Sequence, residues 1–265
     1  TNHLPYTTPE TVPPNAGTDG VITFCSTGAT AGLFASLAGG AEAGGTWTAP
    51  GGGAFSGSYD PAVNAPGVYT YTVTGTAPCP NDQATVTVAE TAPPNAGTDG
   101  AVTLCSTGAA TGLFALLGGA AQAGGTWTEP GGGAFNGTFI PGTSAPGLYT
   151  YTATGTAPCP NDQSTVTVTI NTPPDPGTDG NITLCSSDAA ASLLAQLGGT
   201  PDAGGAWSGP SPVVGGMIDP ATMSAGVYTY TVTGTAPCPN ETATVTVTIN
   251  TPPDPGTDGT ITLCS

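Results

Sequence analysis

Strict alternation of apolar and polar residues marks the clearest elements of the chain. In segment 67–74, the side chains of Tyr69, Tyr71 and Val73 fall on one face and three threonines fall on the other. Segment 84–88 alternates in the same way, after a loop that contains two prolines and a cysteine. A period of two indicates a β-strand with one buried face. The pattern therefore predicts an antiparallel hairpin that is solvated on its threonine face.

Shorter segments rich in β-forming residues precede this hairpin. Residues 21–25 follow a Thr-Asp-Gly turn signal, and residues 45–48 are followed by a Pro-Gly-Gly-Gly run. The apolar run 33–37 is too short for periodicity to separate a strand from one helical turn, so both readings stay open. Short strands divided by turn signals predict an all-β fold.

The same pattern recurs along the chain at a spacing of about 80 residues. The string Pro-Pro-Asn-Ala-Gly-Thr-Asp-Gly at 13–20 returns at 93–100, and a variant of it returns at 173–180 and 252–259. The predicted domains are repeat 1 (13–92), repeat 2 (93–172) and repeat 3 (173–251), after the end of a preceding segment (1–12) and before the start of a fourth repeat (252–265).

Each repeat is long enough for a small β-sandwich. About seven short strands, a tryptophan in mid-repeat and a late tyrosine-rich strand are typical of an immunoglobulin-like fold, which predicts tandem immunoglobulin-like β-sandwich domains in an elongated array. The predicted core aromatics are Trp47, Trp127 and Trp207, together with Tyr69, Tyr149 and Tyr228 near the position of the tyrosine corner of such folds. A carbohydrate-stacking platform would need the same rings exposed, and the strand alternation argues against that.

Charge excludes several classes of function. The 265 residues include no Lys or Arg and 17 Asp or Glu, for a formal net charge of −17. Without cations the chain has no electrostatic attraction for nucleic acid or for anionic membranes. It also lacks the lysine that Walker-type nucleotide enzymes, kinases and Schiff-base enzymes need. We therefore expect neither nucleic-acid binding nor direct membrane insertion.

Cysteines recur twice per repeat, with Cys264 left over. Their constant spacing within repeats favours one disulfide per repeat, and the rival scheme joins neighbouring repeats through Cys79–Cys105 and Cys159–Cys185. The favoured pairs are Cys25–Cys79, Cys105–Cys159 and Cys185–Cys238. Each would stabilise its repeat by roughly 4 kcal/mol on the chain-entropy account. Disulfides also predict an oxidising, extracellular compartment.

The sequence offers little for catalysis or metal binding. His3 is the only histidine and lies outside the repeats, which excludes a Ser-His-Asp triad in any of them, and there is no Cys-x-x-Cys pair for zinc. The recurring carboxylates Asp19, Asp99 and Asp179 fall in the Thr-Asp-Gly turn before the first strand. We interpret them as turn-forming residues, with calcium at the repeat junction as the alternative. We therefore predict no enzyme, and no cofactor other than calcium in that alternative.

The repeat as a whole resembles a known family. A cysteine in an early strand, Gly-Gly-Thr-Trp, Ala-Pro-Gly-Val-Tyr-Thr-Tyr and Pro-Cys-Pro-Asn are together similar to the tandem immunoglobulin-like repeats of large cell-surface adhesins of Bacteroidetes. These include gliding-motility-associated proteins exported by the type IX secretion system. The resemblance implies a structural or adhesive stalk or filament at the cell surface. Its implied partners are neighbouring repeats, like chains in a fibre, and a surface or glycan ligand; a repeated calcium- or glycan-binding module is the alternative function.

The joints between repeats predict a semi-rigid rod. Paired prolines at 93–94 and 173–174 fix φ and favour an extended connection. Strands of about eight residues, at about 3.3 Å per residue, make a repeat roughly 30 Å long, so three repeats predict a maximum dimension on the order of 100 Å. Small-angle scattering measures this dimension. A value of about 60 Å, as for a compact chain of this length, would contradict the rod.

Overall fold

The structure, a computed structural model, describes residues 10–256 and 258–262, and its regular elements there are β-strands and three short turns of 3-10 helix. Repeat 1 contains β1 (Gly20–Cys25), β2 (Ala31–Gly32), β3 (Thr46–Thr48), β4 (Ala54–Phe55), β5 (Ser58–Tyr59), β6 (Gly67–Val73) and β7 (Asp82–Thr91). Repeat 2 contains β8 (Gly100–Cys105), β9 (Thr111–Gly112), β10 (Thr126–Thr128), β11 (Ala134–Phe135), β12 (Thr138–Phe139), β13 (Gly147–Ala153) and β14 (Asp162–Asn171). Repeat 3 contains β15 (Gly180–Cys185), β16 (Ala191–Ser192), β17 (Ala206–Ser208), β18 (Met217–Ile218), β19 (Gly226–Val232) and β20 (Glu241–Asn250).

Two sheets form the sandwich of repeat 1. The larger sheet has the strand order β1-β7-β6-β3-β4, and the smaller pairs β2 with β5. Strands β6 and β7 form the antiparallel hairpin that their alternation predicts. Strand β1 lies parallel to β7, from Gly20 beside Val86 to Cys25 beside Thr91. The sequence pattern did not predict this parallel pairing, because it joins the first and last strands of the repeat.

The larger sheets of repeats 2 and 3 follow the same plan, with one difference. Repeat 2 has the order β11-β10-β13-β14-β8, whereas repeat 3 has β15-β20-β19-β17 and lacks a counterpart of β4 and β11. The corresponding segment of repeat 3, 209–216, reads Gly-Pro-Ser-Pro-Val-Val-Gly-Gly. Its prolines remove backbone donors that a strand would need.

The cores are built from the apolar faces of the hairpins. In repeat 1, Leu33, Tyr69, Tyr71 and Val86 are almost completely buried, whereas the threonines of the opposite face are partly or wholly exposed. The ambiguous run at 33–37 is a single turn of 3-10 helix, Leu33–Ser36, which buries Leu33 against the sheet.

Tyrosine hydroxyls bond to backbone groups of the loops around each core. The hydroxyl of Tyr69 donates to the carbonyl oxygen of Ala65 at 2.8 Å, and that of Tyr228 donates to the carbonyl oxygen of Ser224 at 2.7 Å. In both repeats, the tyrosine lies on the late strand (β6 or β19) and the accepting carbonyl lies four residues earlier in the chain. Both tyrosines thus make the hydrogen bond of a tyrosine corner.

A second tyrosine on the same strand fixes another loop. The hydroxyl of Tyr71 donates to the carbonyl oxygen of Glu42 at 2.6 Å and accepts from the amide of Gly45 at 2.7 Å. Tyr230 makes the same two bonds in repeat 3. Both hydrogen bonds hold the glycine turn that leads into the tryptophan strand.

The chain divides into two compact units, and repeat 2 contributes to both. Among the described residues, the first unit consists of those up to Gly100 with Leu113–Gly137 and Leu148–Val166. The second consists of Ala101–Gly112, Thr138–Gly147 and the described residues from Thr167 onward. The boundaries of the three repeats as separate folding units stay a prediction. Within the described ranges, no helix is long and apolar enough to span a membrane.

Replacing Tyr71 with Phe removes both hydroxyl bonds and leaves the Gly45 amide without its acceptor. We expect a local loss of about 1–3 kcal/mol, which corresponds to a loss of hydrogen-exchange protection at the Gly45 amide of roughly fivefold to a hundredfold or more. The control is Thr87→Val, a β-branched replacement at an exposed position of β7 that should leave this protection unchanged. Equal protection in Tyr71→Phe and the parent chain would contradict the assigned role.

Candidate functional site

Two disulfides join consecutive repeats. Cys25 is bonded to Cys159 and Cys105 to Cys238, each with its Cα atoms 4.9 Å apart and with sequence separations of 134 and 133. Each bond joins the last residue of the first strand of one repeat to the loop before the last strand of the next. Both predicted schemes are therefore wrong, the pairing within repeats as well as the rival Cys79–Cys105 and Cys159–Cys185 pairs.

The parallel strand β1 explains why the pairing within repeat 1 fails. Cys25 lies beside Thr91, the last residue of β7, whereas Cys79 lies in the loop before Asp82, the first residue of β7. A strand of this length separates the two positions by roughly 30 Å. A disulfide needs Cα atoms about 4.4–6.8 Å apart. The first-strand cysteine is therefore out of reach of its own loop and within reach of the next repeat's loop.

The last residues of β7 and β14 lie at the two disulfides. The carbonyl oxygen of Thr91 accepts from the amide of Ser26 at 2.9 Å and lies 3.2 Å from the Sγ atom of Cys159. Asn171 occupies the same position at the second disulfide, with its carbonyl oxygen 3.3 Å from Sγ of Cys238. The side chain of Asn171 also donates to the carbonyl oxygen of Ala236 in the same loop, at 2.8 Å. The joint thus combines one covalent bond with backbone contacts.

Cys79 and Cys185 are free thiols, and Cys264 lies outside the described residues. The Sγ atom of Cys79 lies 3.4 Å from Oγ1 and 3.7 Å from the carbonyl oxygen of Thr11. The hydroxyl of Ser187 donates to Sγ of Cys185 at 3.3 Å. This hydrogen bond lowers the pKa of the Cys185 thiol because it stabilises the thiolate.

The recurring aspartates hold the first strand's turn to the last strand. Each accepts a hydrogen bond of 2.7 Å from a backbone amide about 66 residues away; the pairs are Asp19 with Thr85, Asp99 with Thr165 and Asp179 with Thr244. Asp82, at the start of the last strand β7, accepts from the amide of Ala16, which precedes the first strand, at 2.7 Å. The carboxylates therefore act across the sheet as well as in a turn. In the part of the chain that the structure describes, no three His, Cys, Asp or Glu side chains converge on a common metal position.

The core aromatics lie inside, with one exception. Tyr69, Tyr149 and Tyr228 are at most 1% exposed, and Trp47 and Trp127 are each 8% exposed. Trp207 is only partly buried. His3, the one histidine considered for catalysis, lies outside the described residues.

Two differences in repeat 3 accompany the exposure of Trp207. In repeat 1 the ring of Phe55 lies edge-on to Trp47, with centroids 6.5 Å apart, and Phe34 packs against Tyr71. Repeat 3 has Leu194 at the position of Phe34, and its segment 209–216 has no counterpart of Phe55. An open groove of about 520 Å³ lies beside Trp207 in repeat 3. Its lining residues include Ser192, Leu194, Gly205, Trp207, Val213 and Tyr230.

Comparison with known proteins supports the fold and no more. No protein-family model matches the sequence, and no curated protein matches it. Among solved structures, the chain is similar to the N-terminal eight Ig domains of Down Syndrome Cell Adhesion Molecule, with a TM-score of 0.50, 15% identity, and coverage of 89% of this chain and 36% of that one.

Two other solved structures match with lower scores. An I-band fragment of titin has a TM-score of 0.49 at 13% identity, covering 91% of this chain and 100% of that chain. Extracellular domains 3–5 of Drosophila OTK have a TM-score of 0.37 at 13% identity, covering 92% and 98%. Together with the strand order, the match to the cell adhesion molecule defines an all-β protein of tandem immunoglobulin-like domains.

Proposed function

We propose that the chain is a structural repeat segment of a large extracellular surface protein or fibre, a disulfide-stabilised stalk that holds an adhesive end away from the cell. The proposal assigns no catalytic role. The observation that carries it is the joining of consecutive repeats by Cys25–Cys159 and Cys105–Cys238. A stalk needs joints that transmit tension, and these disulfides cross each joint covalently.

The two closed loops overlap, which shortens the covalent route through the chain. Residues 105–159 belong to both loops. Tension can pass from Cys25 to Cys159, back to Cys105, and across to Cys238. Segments 26–104 and 160–237 then lie outside the covalent path that carries the tension. Even a fully unfolded array is therefore limited in extension while both disulfides are intact.

Composition supports an exposed location. The absence of Lys and Arg leaves no site for trypsin-like proteases, which suits a fibre outside the cell. Without lysine, a Lys–Asn isopeptide cross-link cannot form, so covalent reinforcement depends on the cysteines. Disulfides persist in oxidising, extracellular compartments.

We place the segment in a Bacteroidetes cell-surface adhesin of the gliding-motility-associated, type IX-secreted kind. The support for this part of the proposal is the resemblance of the repeat motifs. Its partners would be neighbouring repeats and like chains in a fibre. Immunogold labelling of the native cell surface tests the location, and labelling confined to the cell interior would contradict it.

Pulling a single chain tests the stalk through its contour length. With disulfides intact, segments 26–104 and 160–237 stay outside the stretched path; with a reductant present they should add on the order of 500 Å, at about 3.3–3.6 Å per residue. Cys79→Ser, which leaves both disulfides in place, should behave as the parent chain does. Equal contour lengths with and without reductant would contradict the proposal.

A second candidate function, glycan binding by repeat 3, is favoured by the groove beside Trp207. Trp207 and Tyr230 lie with ring centroids 5.0 Å apart, and glycine backbone forms part of the wall. Aromatic faces with a few polar groups nearby are typical of small-ligand sites. Repeats 1 and 2 bury the corresponding tryptophans, so only repeat 3 would bind.

A glycan array with two variants tests this candidate. Trp207→Ala removes the aromatic face. Leu194→Phe instead fills the groove with the residue that repeats 1 and 2 carry at Phe34 and Phe114, so the fold should tolerate it. Both variants should lose at least tenfold in affinity for any glycan that the parent binds. Unchanged binding by Leu194→Phe, or no binding by the parent, would contradict the candidate.

A further inference from the structure

We propose that the free thiols of Cys185 and Cys79 form disulfides of the same kind as the two already present. Cys185, a first-strand cysteine, bonds to the loop cysteine of another repeat of this type, and Cys79, a loop cysteine, bonds to the first-strand cysteine of another such repeat. The inference goes beyond the stalk function and does not depend on it. It rests on the equivalence of each free thiol to cysteines that are already bonded in this chain.

Cys185 occupies the position of the bonded first-strand cysteines. It ends β15 and lies beside Asn250, the last residue of β20, as Cys25 lies beside Thr91. The amide of the next residue, Ser186, donates to the carbonyl oxygen of Asn250 at 2.8 Å. This repeats the bond from Ser26 to Thr91 at the first disulfide. The backbone around Cys185 therefore already has the geometry that surrounds Cys25 in the first disulfide.

Cys79 occupies the position of the bonded loop cysteines. Its amide donates to the carbonyl oxygen of Thr76 at 2.9 Å, and the amides of Cys159 and Cys238 make the same bond, at the same distance, within their own loops. Its sulfur lies 3.7 Å from the carbonyl oxygen of Thr11. The bonded sulfurs lie 3.2 and 3.3 Å from the corresponding carbonyl oxygens. The loop therefore presents Cys79 in the geometry that forms the bond elsewhere.

The surroundings of Cys185 favour its thiolate, the form that reacts in disulfide exchange. The hydroxyl of Ser187 that donates to its sulfur holds the thiol pKa below its usual range, which increases the thiolate fraction. The bonded cysteines Cys25 and Cys105 have a threonine hydroxyl in the same place, at 3.5 and 3.4 Å. The hydroxyl is thus a feature of every described first-strand cysteine.

The bond forms by two thiol–disulfide exchanges with an added low-molecular-weight disulfide such as oxidised glutathione. The Cys185 thiolate attacks one glutathione sulfur, the glutathione disulfide breaks, and one reduced glutathione leaves. The thiolate of the loop cysteine then attacks the Cys185 sulfur of this mixed disulfide and releases the second reduced glutathione. Two protein thiols are oxidised to one disulfide, and one glutathione disulfide is reduced to two thiols.

The partner thiol has two sources, a second copy of this chain or a covalently following repeat. In a joint between two copies, Cys79 of one copy meets Cys185 of the other. Asn250 then takes the place that Thr11 holds beside Cys79. In the covalent case, a repeat completed after residues 252–265 supplies its own loop cysteine. Both sources present the same chemistry, a cysteine in the loop before a last strand.

The first arm of the experiment tests the second copy. In a Cys264→Ser background, Cys79→Ser and Cys185→Ser are prepared separately, so that each carries one free thiol. The variants are incubated alone and as an equal mixture with oxidised glutathione, then resolved on non-reducing gels. The mixture should give a dimer that peptide mapping assigns to Cys185–Cys79, at least tenfold more than either variant alone. Equal dimer in all three samples would count against specific pairing.

The second arm tests the covalent source. A sequence identical to residues 187–251 is appended after Ser265, which completes a fourth repeat with its own copy of the Cys238 loop. Peptide mapping should find Cys185 bonded to the new loop cysteine, and Cys185 should resist alkylation. The matched control carries serine at that new cysteine and should leave Cys185 open to alkylation. A dimer in the first arm identifies the second copy as a partner, and a bond in the second arm identifies the following repeat. If Cys185 is specifically bonded in neither arm, the inference is wrong.

Discussion

The parallel pairing of the first strand with the last strand determines where every cysteine can reach. In repeat 1 it sets Cys25 at the far end of β7 from Cys79. A slip by one residue would turn the apolar face of β1 to solvent, so the register is strongly specified. The carboxylate of Asp19 supports the same pairing, because it accepts from the amide of Thr85 in the neighbouring strand. Consecutive repeats are consequently joined to each other, and among the described cysteines no disulfide closes a repeat on itself.

Much of the fold could be predicted from the sequence because its signals are local. The alternation around Tyr69 and Tyr71 reports burial of one strand face, and the structure buries both rings. Tyr228 recurs at the same place in repeat 3, and its hydroxyl makes the same tyrosine-corner hydrogen bond. Periodicity within a strand and repetition between domains need no knowledge of long-range pairing.

The disulfides could not be predicted from spacing, since every regular scheme gives a spacing that is equally constant along the chain. Each repeat has one cysteine in its first strand and one in the loop before its last strand, and both recur with the same period. Cys25 is therefore as regularly spaced from Cys79 as from Cys159. Distance decides between them, and distance depends on the parallel pairing, which leaves no local pattern. The groove at Trp207 was missed for a different reason. Leu194 and the loop 209–216 lie close to Trp207 in sequence, but only the folded packing shows that they line a groove beside its ring.

The same strand pairing decides how a repeat responds to tension that enters through its cysteines. Repeat 2 is bonded through Cys105, which ends its first strand, and through Cys159, which precedes its last strand. In repeat 1 the equivalent positions end β1 and precede β7, and the two strands are parallel. Opposite pulls at these positions slide one strand along the other and load their evenly spaced hydrogen bonds together. Each bond contributes only about 1 kcal/mol net, but all six residues of β1 must slip at once. The disulfides therefore direct tension along the sheet in shear, where its hydrogen bonds resist collectively, and leave the proline linkers outside the shortest covalent route.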